Sequence, residues 1–291
     1  MHWIFGGMVL MVPVLVSWLA WRRHALDGAG AVLAVLLSVL LYLAGGIRFL
    51  AVLLLFFLSS TFFTKVGAHR KNQWEPALYE KGGRRDVWQV LANGGAGVLM
   101  AALFAATGWE NAAVGVFAAF SACNADTWAS EIGSLSKGEP VSILTGKPVR
   151  RGMSGGVSRL GLLASLGGAA AVAVLYVISF PLRVGLFGQT MAPLVADASG
   201  SAAPFLQQLG AVLVRSLVIL TAGMFGSLFD SLLGALFQPA YRCARTGLPT
   251  ERRMTDGLSN ERIKGIAWMN NDVVNFLSAI AAAALVVPIG R

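Results

Sequence analysis

Long apolar runs recur along nearly the whole chain, and they dictate what it can fold into. They lie near 3–20, 28–43, 46–63, 87–106, 111–128, 156–178, 209–229 and 269–288. A bilayer core calls for about 20 apolar residues per helix, and fewer where neighbouring helices shield the ends. Composition agrees: 56% of the 291 residues are hydrophobic, 13% are charged and the mean hydropathy is +0.68. These values exclude an ordinary soluble domain and predict an all-α, polytopic transmembrane helix bundle in a single domain over 1–291. Only "AGG" separates the second and third runs and the fifth is short, so about eight spans are expected, with seven, or a re-entrant fifth segment, as the alternative. "MHWIF" lacks a basic leader and "WRRH" follows the first run, which is an anchor pattern rather than a cleaved signal.

Charge orients the bundle. The connections at 21–27, 64–86, 129–155 and 230–268, with Arg159, hold 19 of the 23 Lys and Arg residues. By the positive-inside rule the larger loops, 64–86, 129–155 and 230–268, face the cytoplasm and both termini face away from it. The expected setting is a bacterial inner membrane. The net charge of +9 is thus mostly topological, and no nucleic-acid motif accompanies it. Two cysteines, Cys123 and Cys243, do not make a disulfide framework, and His2, His24 and His69 have no metal-ligand spacing. Hydropathy shows no internal repeat, which disfavours an inverted-repeat transporter.

Polar residues interrupt this pattern on the basic side. "SACNADTWASEIG" places Asn124, Asp126 and Glu131 at the end of an apolar helix. If the helix persists to Gly133, Asn124, Thr127 and Glu131 share a face and Asp126 and Ser130 a neighbouring one. Carboxylates at a membrane boundary are costly unless water, a cation or a metal compensates them, and a hard divalent ion bridging to substrate phosphates would do so. The plainer reading makes Asp126 a helix cap and pairs Glu131 with Arg150 or Arg151. In "KGGRRDVWQVLANGG", Asp86 can cap the fourth helix, while Arg85, Gln89 and Asn93 recur at four-residue spacing. Arg85 could clamp a phosphate or carboxylate; the alternative is an interfacial anchor with polar packing around Gly94, Gly95 and Gly97.

Lys147, Arg150 and Arg151 then lie among Gly146, Gly152, Gly155 and Gly156, with "SGG" just before the sixth helix. Glycine backbone N–H groups and a helix N-terminus suit a phosphate, although the spacing is not that of a Walker A loop. An ordinary basic loop is the competing reading. Asp230, flanked by apolar sequence beside Ser227, Ser231 and Gly234, could complete an acidic cluster or tie helices together. Asn271 and Asn275 begin the last helix as possible accessory groups, with Asp272 facing the helix dipole.

"NADTWASEIG", "TGKPVRRGMSGGVS" and "GSLFDSLLGALFQ", in that order, resemble the integral membrane family that contains chloroplast phytyl-phosphate kinase and animal transmembrane protein 19. "QVLANGG" and "NNDVVNF" are similar to further parts of its pattern. The resemblance implies a kinase that phosphorylates a polyprenyl or phytyl monophosphate to the diphosphate, with CTP or another NTP as donor and Mg²⁺ as cofactor. Carried to matching positions, it implies Asn124, Asp126 and Glu131 as one polar cluster, Lys147, Arg150, Gly155 and Gly156 as a second, and Asp230 as a third. Asp126, Glu131 and Asp230 are then the expected catalytic, metal-holding carboxylates. Arg85, Asn93, Asn124, Lys147, Arg150, Gly155 and Gly156 are the expected phosphate contacts. The expected partners are a membrane isoprenoid monophosphate and a nucleoside triphosphate, and no nucleic acid. A phosphorylated-lipid transporter or flippase and a lipid cytidylyltransferase are the alternatives.

Orientation is checked by a single cysteine at Lys137→Cys in a Cys123→Ser, Cys243→Ser background. Membrane-impermeant maleimide added to intact cells should leave it unmodified and should modify it after the membrane is opened.

Overall fold

The computed structural model describes residues 2–74, 84–179 and 203–288. Eight helices are present among them: α1 His2–Arg22, α2 Gly28–Gly45, α3 Ile47–Trp74, α4 Val87–Thr107, α5 Glu110–Gly133, α6 Arg159–Ser179, α7 Ala203–Phe237 and α8 Asn271–Val286. Each follows one of the apolar runs. Their starts have local causes. Asp27 caps α2 by accepting from the Gly30 N–H at 2.6 Å. Asp86 and Gln89 form a reciprocal capping box on α4, and Asn270 accepts from the Val273 N–H at 3.1 Å to start α8. Gly108, at φ 65°, closes α4 in the left-handed conformation that glycine adopts without steric cost.

Several ends differ from expectation. α7 runs on to Phe237, because nothing in "DSLLGALF" breaks a helix before Gln238 and Pro239. α3 likewise continues to Trp74. Helix α6 begins at Arg159, after "SGG", and its first turn is served by Ser158, whose Oγ accepts from the Gly161 N–H at 3.0 Å. The 180–202 connection and the 75–83 part of the 64–86 loop lie outside the described residues.

Among the described residues, five helices are long and apolar enough to cross a membrane: α2, residues 47–66 of α3, α4, α6 and residues 208–237 of α7. Shorter apolar stretches occupy Gly7–Arg22 of α1 and all of α8. α5 is the exception. It is a continuous helix of 24 residues, about 36 Å at 1.5 Å per residue. Its lower hydropathy is tolerated because α3, α4, α6, α7 and α8 all pack around it, and it is buried from Asn111 to Ala125.

Close approach of neighbouring helices depends on small residues. A Cβ added at Gly223 of α7 would lie 2.0 Å from Ser121 Oγ, and one at Gly226 would lie 2.3 Å from Ala122 Cβ. From α6, Gly168 sets a similar limit at 2.8 Å from the Asn124 carbonyl oxygen. At the far end of the bundle, Phe49, Phe104, Phe117 and Tyr176 meet edge to face at 5.0–6.1 Å.

The basic-side connections carry short antiparallel strands that sequence reading did not anticipate. β1 (Val141–Ser142) pairs with β2 (Gly156–Val157). β3 (Ala240–Arg242) is flanked by β4 (Pro249–Thr250) and β7 (Glu261–Lys264), and β5 (Met254–Thr255) pairs with β6 (Leu258–Ser259). Backbone hydrogen bonds join the 21–27 connection to the α4 entrance: the Asp27 N–H donates to the Arg85 carbonyl and the Arg85 N–H to the Ala25 carbonyl, both at 3.0 Å.

Gly223→Ala should destabilise the bundle by about 1–3 kcal/mol, the usual cost of overpacking. Gly210→Ala, where an added Cβ meets nothing within 4 Å, should be neutral or stabilising. Thermal unfolding in detergent distinguishes the two.

Candidate functional site

At the basic-loop end the bundle opens into a cavity of about 580 Å³. α4 contributes Gln89 and Asn93, and Arg85 stands just before that helix. α5 contributes Asp126, Thr127, Ser130 and Glu131, while α7 contributes Ser227, Asp230 and Ser231. Asn271, Asp272 and Asn275 enter from the first turns of α8. The 151–158 loop, with Glu251 and Arg252, forms the outer wall. Residues remote in sequence therefore share one polar chamber at the mouth of an apolar bundle.

Asp126 and Asp230 project from α5 and α7, near enough for the charge of one to act on the other. Ser278 Oγ donates to Asp230 Oδ2 at 2.9 Å and fixes that carboxylate from α8. Glu131 belongs elsewhere. Five residues beyond Asp126 on a helix, it is turned about 140° away. Thr64 Oγ1 donates to its Oε1 at 3.1 Å, and its charge acts on Arg85. Among the described residues no three His, Cys, Asp or Glu side chains gather as a metal-holding group, so the expected Asp126–Glu131–Asp230 triad is corrected to a pair with Glu131 apart. A pair still fits Mg²⁺, which is ordinarily held by one or two carboxylates with waters and substrate phosphates completing its octahedron.

Arg85 is the cation set deepest in the wall. Its guanidinium lies 5.9 Å from the Phe56 ring centre and 5.8 Å from that of Phe57. Burial pushes its pKa down from the usual arginine range and the Glu131 charge raises it. Asn93 donates through Nδ2 to the Gln89 carbonyl at 2.8 Å, and its own carbonyl accepts from Cys123 Sγ at 3.3 Å, so Cys123 is a packing residue. Both cysteines are free.

Three expected phosphate contacts are placed differently. Asn124 is fully buried: Ser59 Oγ donates to its Oδ1 and its Nδ2 donates to the Gly168 carbonyl, each at 2.9 Å. It clasps α3, α5 and α6 beneath the chamber, because residues two apart on a helix point about 200° apart and Asp126 takes the open side. Lys147 is exposed at the turn after β1 and does not line the cavity. Arg150 is exposed as well and donates through Nη1 to the Pro249 carbonyl at 3.3 Å, linking the loop to β4.

Gly155 and Gly156 do line the cavity. Gly155 has φ 84°, and a Cβ there would lie 2.3 Å from Ala235 Cβ, so only glycine lets this loop sit against α7. The loop's N–H groups are partly committed. Ser154 donates its N–H to Glu251 Oε1 at 3.0 Å and its hydroxyl to the same oxygen, while the Gly156 N–H donates to the Met153 carbonyl at 3.1 Å. Gln238 Nε2 donates to Glu251 Oε2 at 3.2 Å. Glu251 and Arg252 escaped sequence reading because "PTERRMTDG" has neither helical periodicity nor motif spacing, and it is the pairing of β4 with β3 just before them that brings them to the chamber.

Asn124→Ala should lower stability by about 1–3 kcal/mol, since buried partners are left unpaired. Asp126→Asn should leave the melting temperature unchanged or raise it, because it removes a charge that the fold does not use. Detergent melting curves of both variants check the separation.

No solved structure matches the chain. Protein PGR of Arabidopsis thaliana is 32% identical over 290 residues, covering 95% of this chain and 93% of the relative. An uncharacterized membrane protein of Methanocaldococcus jannaschii is 28% identical over 270 residues, covering 92% of each. The family model described as integral membrane protein DUF92 matches residues 11–283, nearly the whole bundle and every wall of the chamber, and the chain belongs to that family.

Proposed function

We propose that the protein is an isoprenoid-phosphate kinase, transferring the terminal phosphoryl group of CTP or another nucleoside triphosphate to a polyprenyl or phytyl monophosphate. The observation that carries this reading is the chamber itself: paired carboxylates on α5 and α7 with a deep arginine just before α4, all open to one end of an apolar bundle. Phosphoryl transfer needs positioned oxygens and neutralised charge more than covalent help from the protein. This chamber offers both signs of charge in a site shielded by helices.

In the proposed reaction an oxygen of the lipid monophosphate attacks the γ-phosphorus and the bond to the nucleoside diphosphate breaks. The acceptor is already anionic at neutral pH, so no side chain has to remove a proton. Arg85 orients the acceptor phosphate, and Glu131 holds Arg85 from the α5 side. Arg151 and Arg252, which line the outer wall, replace Lys147 and Arg150 as the cations facing the donor. Asp126 and Asp230 would hold Mg²⁺, which when bound supplies positive charge to the donor phosphates. Asn271 and Asn275 offer neutral hydrogen-bonding groups on the α8 side. The distribution of Lys and Arg supports a chamber facing the cytoplasm of a bacterial inner membrane, where nucleotides are available.

The test is transfer of label in proteoliposomes with Mg²⁺ and isoprenoid monophosphates. Label from the γ-phosphate of CTP should appear in the lipid, Asp126→Asn should lose roughly 100-fold or more of the rate, and Lys147→Ala should retain most of it. Transfer of α-phosphate label would identify a cytidylyltransferase instead. Movement of lipid phosphate between leaflets without nucleotide consumption would identify a flippase.

A further inference from the structure

The chamber has a second compartment. Arg85, Gln89, Asn93 and Phe56 also line a narrower cleft of about 40 Å³ that runs among α1, α2, α3 and α4. Apart from those shared residues its surface is mostly apolar, with Val16 from α1, Leu37 from α2, Leu54 and Phe57 from α3 and Val90 from α4. Ser38, one of its few hydroxyls, already donates to the Ala34 carbonyl at 2.7 Å. The cleft therefore offers almost nothing to a polar ligand beyond the Arg85 junction.

Its width is limiting. A water molecule needs about 10–15 Å³ of such space, so the cleft of about 40 Å³ holds on the order of three, room for a short length of one hydrocarbon chain. Two acyl chains side by side exceed it. Gly94 sets part of that width, since a Cβ there would lie 2.6 Å from Leu37 Cδ1. The junction is rigid as well, because the Arg85 backbone is bonded on both sides to residues 25 and 27.

We infer that the α1–α4 cleft seats the first carbons of a single-chain lipid monophosphate whose phosphate is held at Arg85, so that this cleft selects single-chain over two-chain phospholipids. The inference rests on the reading of the chamber as an isoprenoid-phosphate kinase. Apolar walls take the tail by burial, and the stacked guanidinium takes the anionic head at the point where the environment changes from apolar to polar. A diacyl lipid places a glycerol branch and a second chain where Val16, Leu37 and Val90 leave room for one.

The experiment is photolabelling of the full-length protein in nanodiscs, without nucleotide, by a geranylgeranyl monophosphate carrying a diazirine on its first isoprene unit. Peptide mapping should concentrate label on Val16, Leu37, Leu54 and Val90. Unlabelled geranylgeranyl monophosphate should compete at least tenfold better than dioleoyl phosphatidic acid. Val16→Trp and Gly94→Leu, each narrowing the cleft from a different helix, and Arg85→Gln at its mouth should reduce labelling several-fold in protein with a wild-type melting curve. Label spread equally over the outward-facing Leu163 and Leu217 would overturn the assignment, as would equal competition by phosphatidic acid. Cleft labelling without phosphoryl transfer retains the binding site and removes the kinase; transfer with labelling elsewhere does the reverse.

Discussion

Burial of α5 is the constraint on which the rest of the structure depends. A bilayer supplies no water to backbone or side-chain polar groups, so a helix carrying Asn111, Asn124 and Asp126 needs protein on its sides. Five helices provide that shell, and glycines at 168, 223 and 226 bring two of them close enough to do it. The tight fit then fixes the azimuth of α5. With Asn124 committed to Ser59 and Gly168, Asp126 is held toward α7 and the open chamber.

Charge is arranged around that helix in layers. The carboxylates of Asp126 and Asp230 lie inside, Arg85 stands at the boundary with the apolar cleft, and the outer wall carries Arg151 and Arg252. Like charges placed together are unfavourable in a low-dielectric setting unless a cation lies between them. On the proposed reading a polyanionic substrate would meet the opposite sign on the surrounding loops, where Arg151 and Arg252 line the cavity. Such an arrangement suits a reaction joining two anionic molecules, each of which has to be neutralised before they approach.

The loops are constructed as carefully as the helices. Glu251 receives two bonds from Ser154 and one from Gln238, and it thereby fastens the 151–158 segment, the end of α7 and the segment after β4 to one another. Arg150 adds a bond from the same segment to Pro249. Arg150, which composition marks as a phosphate ligand, thus shapes the wall, while Gly155 and Gly156 of the same segment line the cavity.

The sequence by itself determined the membrane bundle, its eight helices and the polar interruptions that mark the chamber, because apolar length and capping residues are local properties of the chain. Asp86 as a cap and Arg85, Gln89 and Asn93 as one stripe were legible for that reason. Tertiary structure alone decided which polar residues meet. Asn124 and Asp126 are two positions apart yet serve packing and the open chamber respectively, since helical rotation points them to opposite sides. Glu131 went to Thr64 and Arg85 by the same rotation, and Lys147 went to the surface on the turn after β1, where its backbone carbonyl folds back to accept from the Ser142 N–H. Glu251 and the α1–α4 cleft had no local signature, as each exists only where distant segments close on one another.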